Sequence, residues 1–130
     1  EIAAQQKAIA DWLSAGHPIH LFLALHNTES EDFVSGPAGE VRERFHRFLT
    51  ERTTFYAPKG PRDSGATTTP GMKGRMAVYQ WLEGEHGVQA FLMEQMVERS
   101  PKLGRPPTAA DRLEFGAALV RILALAGSGL

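Results

Sequence analysis

The hydrophobic positions of this chain alternate between two kinds of pattern. Residues 2–15 carry Ile2, Ile9, Trp12 and Leu13 near one face of a helix, and Gly16-His17-Pro18 ends it, glycine as the cap and proline unable to continue. In residues 19–25 six of seven positions are apolar. A run that is continuous rather than alternating predicts a strand buried on both faces. The chain then turns polar at His26-Asn27-Thr28-Glu29, and residues 27–39 read as a loop whose large apolar residues are Phe33 and Val34. Residues 40–52 place Val41, Phe45, Phe48 and Leu49 at i, i+4, i+7 and i+8, the spacing of an amphipathic helix. Residues 53–56 are β-branched and aromatic, which predicts a short strand.

Residues 57–74 differ from the rest, with Pro58, Gly60, Pro61, Gly65, Pro70, Gly71 and Gly74. A loop this long is either functional or a plain excursion, and composition leaves both readings open. Residues 75–85 suggest a largely buried helix through Met76, Val78, Tyr79, Trp81 and Leu82, closed by Gly87. Residues 88–93 form a second apolar strand, running into Glu94. After a proline-rich loop, Thr108 and Asp111 have the N-cap and N3 spacing of a capping box. Leu113, Val120, Leu123 and Ala124 mark the apolar stripe of the helix that follows. Helices alternating with short buried strands predict an α/β protein: three α/β/α layers around a mostly parallel sheet, in one domain spanning residues 1–130.

Composition narrows the classes. With 130 residues, 42% hydrophobic and 22% charged, the chain is long and apolar enough to build a core. A formal net charge of -1 argues against a nucleic-acid partner. The longest apolar run falls far short of the roughly 18 residues of a membrane span. Without cysteine there are no disulfides or thiolate metal ligands. The opening Glu1-Ile2-Ala3-Ala4 reads as the inside of a helix start, as in a segment excised from a longer protein.

In open α/β sheets, sites form beyond the carboxyl ends of the strands. His26 follows one apolar strand and Glu94 another, which would put an imidazole and a carboxylate on one rim. That pair suits metal-assisted hydrolysis, with histidine as a zinc ligand and glutamate as a base toward water. Each also has a plainer reading, as a hydrogen-bonded surface histidine and as the first solvated residue of a loop. Ser30 and Ser35 lie near His26 outside any Gly-x-Ser-x-Gly motif, so a serine hydrolase is unsupported. His17 and His20 read as structural, the position of His86 at a helix C-terminus favours its charged form and argues against a metal role, and His46, among Arg42, Arg44 and Arg47, reads as part of a solvated helix face.

At Leu23-Ala24-Leu25-His26-Asn27 and Phe91-Leu92-Met93-Glu94 the chain resembles the C-terminal half of the zinc carboxypeptidase family, the carboxypeptidase A-like metallopeptidases. The resemblance implies that His26 is a zinc ligand and Glu94 the catalytic carboxylate. It also implies a phosphorylase/hydrolase-like fold, of which this chain would be the C-terminal portion. The family's His-x-x-Glu zinc ligands and most of its substrate-gripping arginines would lie in the upstream half of the same enzyme. Ala24 stands where many members have an aspartate, and residues 57–74, placed like the family's substrate lid, contain no tyrosine. Lys73 and Arg75 are the nearest cations to the end of that loop, and Arg75 is the candidate for substrate binding.

The resemblance therefore implies a zinc-dependent metallocarboxypeptidase-like hydrolase acting on a peptide or an acylated amino acid, with this portion inactive alone because two zinc ligands are missing. A deacylase of small N-acyl amino acids on the same fold is one alternative. A non-catalytic α/β interaction domain is another, and it predicts that His26 and Glu94 lie far apart or are separately hydrogen-bonded, whereas the hydrolase requires their side chains to converge on a shared cavity.

Overall fold

The computed structural model describes residues 2–64 and 77–128. In chain order the elements are α1 (Ile2–Ser14), β1 (Leu21–Thr28), β2 (Phe33–Gly36), α2 (Glu40–Arg52), β3 (Arg62–Asp63), α3 (Val78–His86), β4 (Gln89–Met96) and α4 (Ala109–Ala126). The strands form one sheet in the order β1-β4-β2-β3. β1 runs parallel to β4 and β2 parallel to β3, while β2 is antiparallel to β4. The expected α/β architecture is present, with a mixed sheet that is mostly parallel, as its two parallel pairs and one antiparallel pair show.

Two apolar layers flank the sheet. On one face Val34, Phe91 and Met93 pack with Phe45 and Leu49 of α2 and Phe115, Leu119, Ile122 and Ala126 of α4. Phe45 and Phe91 stack with ring centres 5.6 Å apart. On the other face Ala90 and Val88 pack with Tyr79 and Leu82 of α3, joined by Ile9 and Leu13 of α1 and by Phe22, Ala24 and Leu92. The alternation along β4 explains the split, since Phe91 and Met93 point one way and Ala90 and Leu92 the other. Each fully buried side chain of this size contributes roughly 1.5–3 kcal/mol relative to exposure.

Several expectations need correction. β1 packs on both faces, Leu21 and Leu23 against one layer and Phe22 and Ala24 against the other, but it lies at the sheet edge with its residues half-buried or exposed and Leu25 60% exposed, so the expected burial is only partial. Residues 33–36, expected in a loop, are β2, because Val34 fills the core and Phe33, Val34 and Ser35 pair with β4. Residues 53–56 form no strand; Phe55 is a buried side chain on an irregular segment. The stretch expected as one long loop includes β3 at Arg62–Asp63. On α4 the expected stripe holds only at Leu123, which packs against the core: Leu113 and Val120 are 77% and 69% exposed, Ala124 is exposed, and Phe115, Leu119 and Ile122 face the core. The capping box does form, with the Asp111 N–H donating to Thr108 and the Thr108 N–H to Asp111.

Arg42 overturns the reading of α2's charged face as merely solvated. Its guanidinium is buried, and Nη1 donates to the Gly36 carbonyl at 3.1 Å, the Arg62 carbonyl at 3.1 Å and Asp63 Oδ1 at 2.7 Å. One side chain thereby ties α2 to the ends of β2 and β3. His46 also departs from the solvated face expected for it: it is half-buried, and its Nε2 is hydrogen-bonded to the Ala57 carbonyl at 3.1 Å.

Candidate functional site

β1 and β4 lie side by side in parallel, and their register pairs His26 directly with Glu94. Both residues sit two places before the strand ends, Thr28 and Met96, rather than after them. Hydrogen-bonded strands are about 4.8 Å apart, and aligned residues project to the same face. The imidazole and the carboxylate therefore rise from the same side of the sheet near its carboxyl rim. His26 is exposed and Glu94 half-buried.

β2 starts at this rim, and its first residue, Phe33, pairs with Glu94 from the other side. One level of the sheet thus reads His26, Glu94, Phe33 across three strands. Beneath Phe33 on the same face is Ser35, buried and paired with Leu92. The Tyr79 hydroxyl from α3 interacts with Ser35. Burial raises the pKa of the Tyr79 phenol above its ordinary value; the Ser35 contact works against this, and the charges of Glu83 and Glu94 add to it. Glu83, one helical turn from Tyr79, has a buried carboxylate oxygen with no hydrogen-bond partner among the described residues.

A cavity of about 500 Å³ runs along β1, lined by Phe22, Ala24 and His26 from the strand and by Val78 and Tyr79 from α3. Glu94 does not line it. His26 and Glu94 are thus neighbours in the sheet rather than far apart, but only the histidine opens onto this cavity, so the convergence on one shared cavity that the hydrolase expectation required is not seen there. Arg75 and Lys73 lie outside the described residues, as does most of the expected lid.

Among the described residues, no three His, Asp or Glu side chains converge so as to hold a metal ion. Donor chemistry suits a partial site: one accessible imidazole with one adjacent carboxylate. Two further ligands would have to come from elsewhere, as the resemblance already implied. Among the same residues, no helix is long and apolar enough to cross a membrane.

Asp32 went unnoticed in the sequence. It is buried just before β2, and its two carboxylate oxygens accept the backbone N–H groups of Met96 and Tyr56. A buried aspartate in a stretch read as a polar loop gives no signal until β2 and β4 are paired. Arg62 was missed too; its guanidinium carbon lies 4.0 Å from the centre of the Phe33 ring.

No family model, curated protein or solved structure matches this chain.

Proposed function

We propose that this chain is the C-terminal portion of a zinc-dependent, carboxypeptidase-like hydrolase that cleaves a peptide or amide bond. The observation that carries this reading is the direct pairing of His26 with Glu94 on parallel strands at their carboxyl rim. Hydrolysis needs an immobile ligand beside an immobile base, and neighbouring strands hold two side chains more rigidly than loops do. His26 would donate one imidazole nitrogen to the metal. The metal, when bound, would supply Lewis-acid activation of water and of the scissile carbonyl. Glu94 would take the proton from the attacking water and pass it to the leaving amine. Its half-buried position keeps the carboxylate reachable while the strand fixes its direction.

A second reading, a non-catalytic interaction domain, draws support from β1 being an edge strand among the described residues, where its outer backbone groups offer a template for another strand. Zinc stoichiometry separates the two. In the longer polypeptide that the resemblance implies, the wild type is expected to retain about one zinc per chain after dialysis and folded His26→Ala to lose it. Equal zinc in both, or none in either, would discard the hydrolase reading in favour of the interaction domain.

A further inference from the structure

The face that carries this row continues past Phe33 onto β3, two residues below the level of Glu94. Arg62 on β3 pairs with Ser35, two places along β2 from Phe33, so both project to the face that carries His26 and Glu94. The guanidinium lies over the Phe33 ring, 4.0 Å from carbon to centroid, and Phe33 is itself the strand partner of Glu94. We propose that Arg62 is the residue by which this site recognises a carboxylate on its substrate, so that the preferred substrate is an acidic peptide or an acidic acylated amino acid. This specificity rests on the hydrolase reading of the rim.

Stacking on an aromatic ring holds a guanidinium flat and leaves its N–H edge pointing outward, the geometry that binds a carboxylate with two parallel hydrogen bonds. Among the described residues, one nitrogen, Nη2, is engaged, donating to Glu31. Glu31 is shared, because Lys59 Nζ lies 2.9 Å from its other oxygen. Both cations hold the Glu31 carboxyl below its usual range, led by the hydrogen bond from Lys59, so it stays ionised at neutral pH. Two cations around one carboxylate leave one positive charge uncompensated within this group. The Arg62 side chain is 42% exposed, open to a ligand and held over Phe33, whereas Lys59 is 73% exposed and belongs to no strand of the sheet.

The spacing suits a short substrate. β3 lies two strand positions from β4 and Arg62 is level with Leu92, so its Cα is roughly 12 Å from that of Glu94. An extended peptide advances about 3.5 Å per residue. A scissile bond beside Glu94 would therefore bring a carboxylate two or three residues away, or on a long acidic side chain, within reach of Arg62.

The test is an NMR titration of the chain with succinate, following the backbone amides of Phe33, Arg62 and Glu94, with neutral succinamide as the control. Saturable binding of succinate is expected, weakened tenfold or more in Arg62→Gln and less than threefold in Lys59→Gln. Glu31→Gln removes the competing carboxylate and should tighten binding severalfold. Unchanged affinity in Arg62→Gln, a larger loss in Lys59→Gln, or equal binding of succinamide would overturn the proposal. Should Arg62→Gln fail to fold, Glu31→Gln decides alone, and unchanged or absent binding there overturns it. The titration needs no metal, and His26→Ala should bind succinate as the wild type does. A failed zinc experiment and a failed succinate experiment are therefore separate results.

Discussion

Asp32 accepts the backbone N–H of Met96 at 2.6 Å, joining residues 64 positions apart. Its other carboxylate oxygen takes the Tyr56 N–H at 2.8 Å. Met96 is the last residue of β4, two places beyond Glu94, so this contact holds the end of the strand that presents the proposed base. Asp32 is buried and both bonds are part-buried, so its loss removes the acceptor of both amides. Each unsatisfied amide costs about 1–3 kcal/mol. Asp32→Ala is therefore expected to lower stability by at least that much in urea denaturation. A change below about 0.5 kcal/mol, the scale of a neutral surface substitution, would mean that other acceptors replace the carboxylate.

Gly36 exists for space rather than for backbone freedom. A Cβ built there would lie 2.2 Å from Cδ1 of Phe91 and 3.0 Å from the Ala90 carbonyl oxygen. Phe91 is fully buried and stacked on Phe45, so its ring has no free room to retreat. Gly36→Ala should cost about 1–3 kcal/mol through overpacking. Thermal unfolding checks this, and a melting temperature equal to the wild type would show that β2 can shift away from β4.

Much of this architecture was legible in the sequence, and the misses share a cause. α2 was readable because its apolar spacing points one way, and the start of α4 because Thr108 and Asp111 have one sensible use. β2 was not, since four residues ending in Ser35-Gly36 carry no strand pattern of their own; pairing with β4 makes them one. β1 was found, but an apolar run cannot say whether a strand lies inside a sheet or at its edge. His26 and Glu94 were singled out from their place at the ends of apolar runs, whereas their direct register required knowing that β1 and β4 are neighbours. Arg62 had no local signal, because the ring that orients it comes from another strand.

The capping aspartate of α4 makes stability sensitive to acid. Arg105 donates to Asp111 at 2.6 and 3.0 Å, and Thr108 donates through both its hydroxyl and its amide. The Arg105 bonds first, and then those from Thr108, hold the Asp111 carboxyl well below the usual carboxylate range. In the unfolded chain an aspartate titrates near pH 3.9. A carboxyl depressed on folding contributes stability that is complete above the unfolded pKa and is lost as pH falls toward the folded one. The melting temperature should therefore drop below about pH 4. Asp111→Asn should be less stable than the wild type at neutral pH, with the gap closing as the solution is acidified; a gap constant with pH would remove the ionised form as the source.

The two faces of α4 provide a direct test of where its energy resides. The helix is apolar nearly all round, so periodicity alone allowed a stripe through Leu113 and Val120 as readily as one through Phe115, Leu119 and Ile122. Exposure of 77% and 69% at Leu113 and Val120 against 6% and 2% at Leu119 and Ile122 distinguishes them. Leu119→Ala and Ile122→Ala each open a cavity between α4, α2 and the sheet, at a cost of about 2–5 kcal/mol. Leu113→Ala and Val120→Ala remove side chains already in water and should stay within about 0.5 kcal/mol of the wild type. Denaturation midpoints of the four variants decide the matter. Losses above 2 kcal/mol at Leu113 or Val120 would mean that their face of α4 is covered by something beyond the described residues.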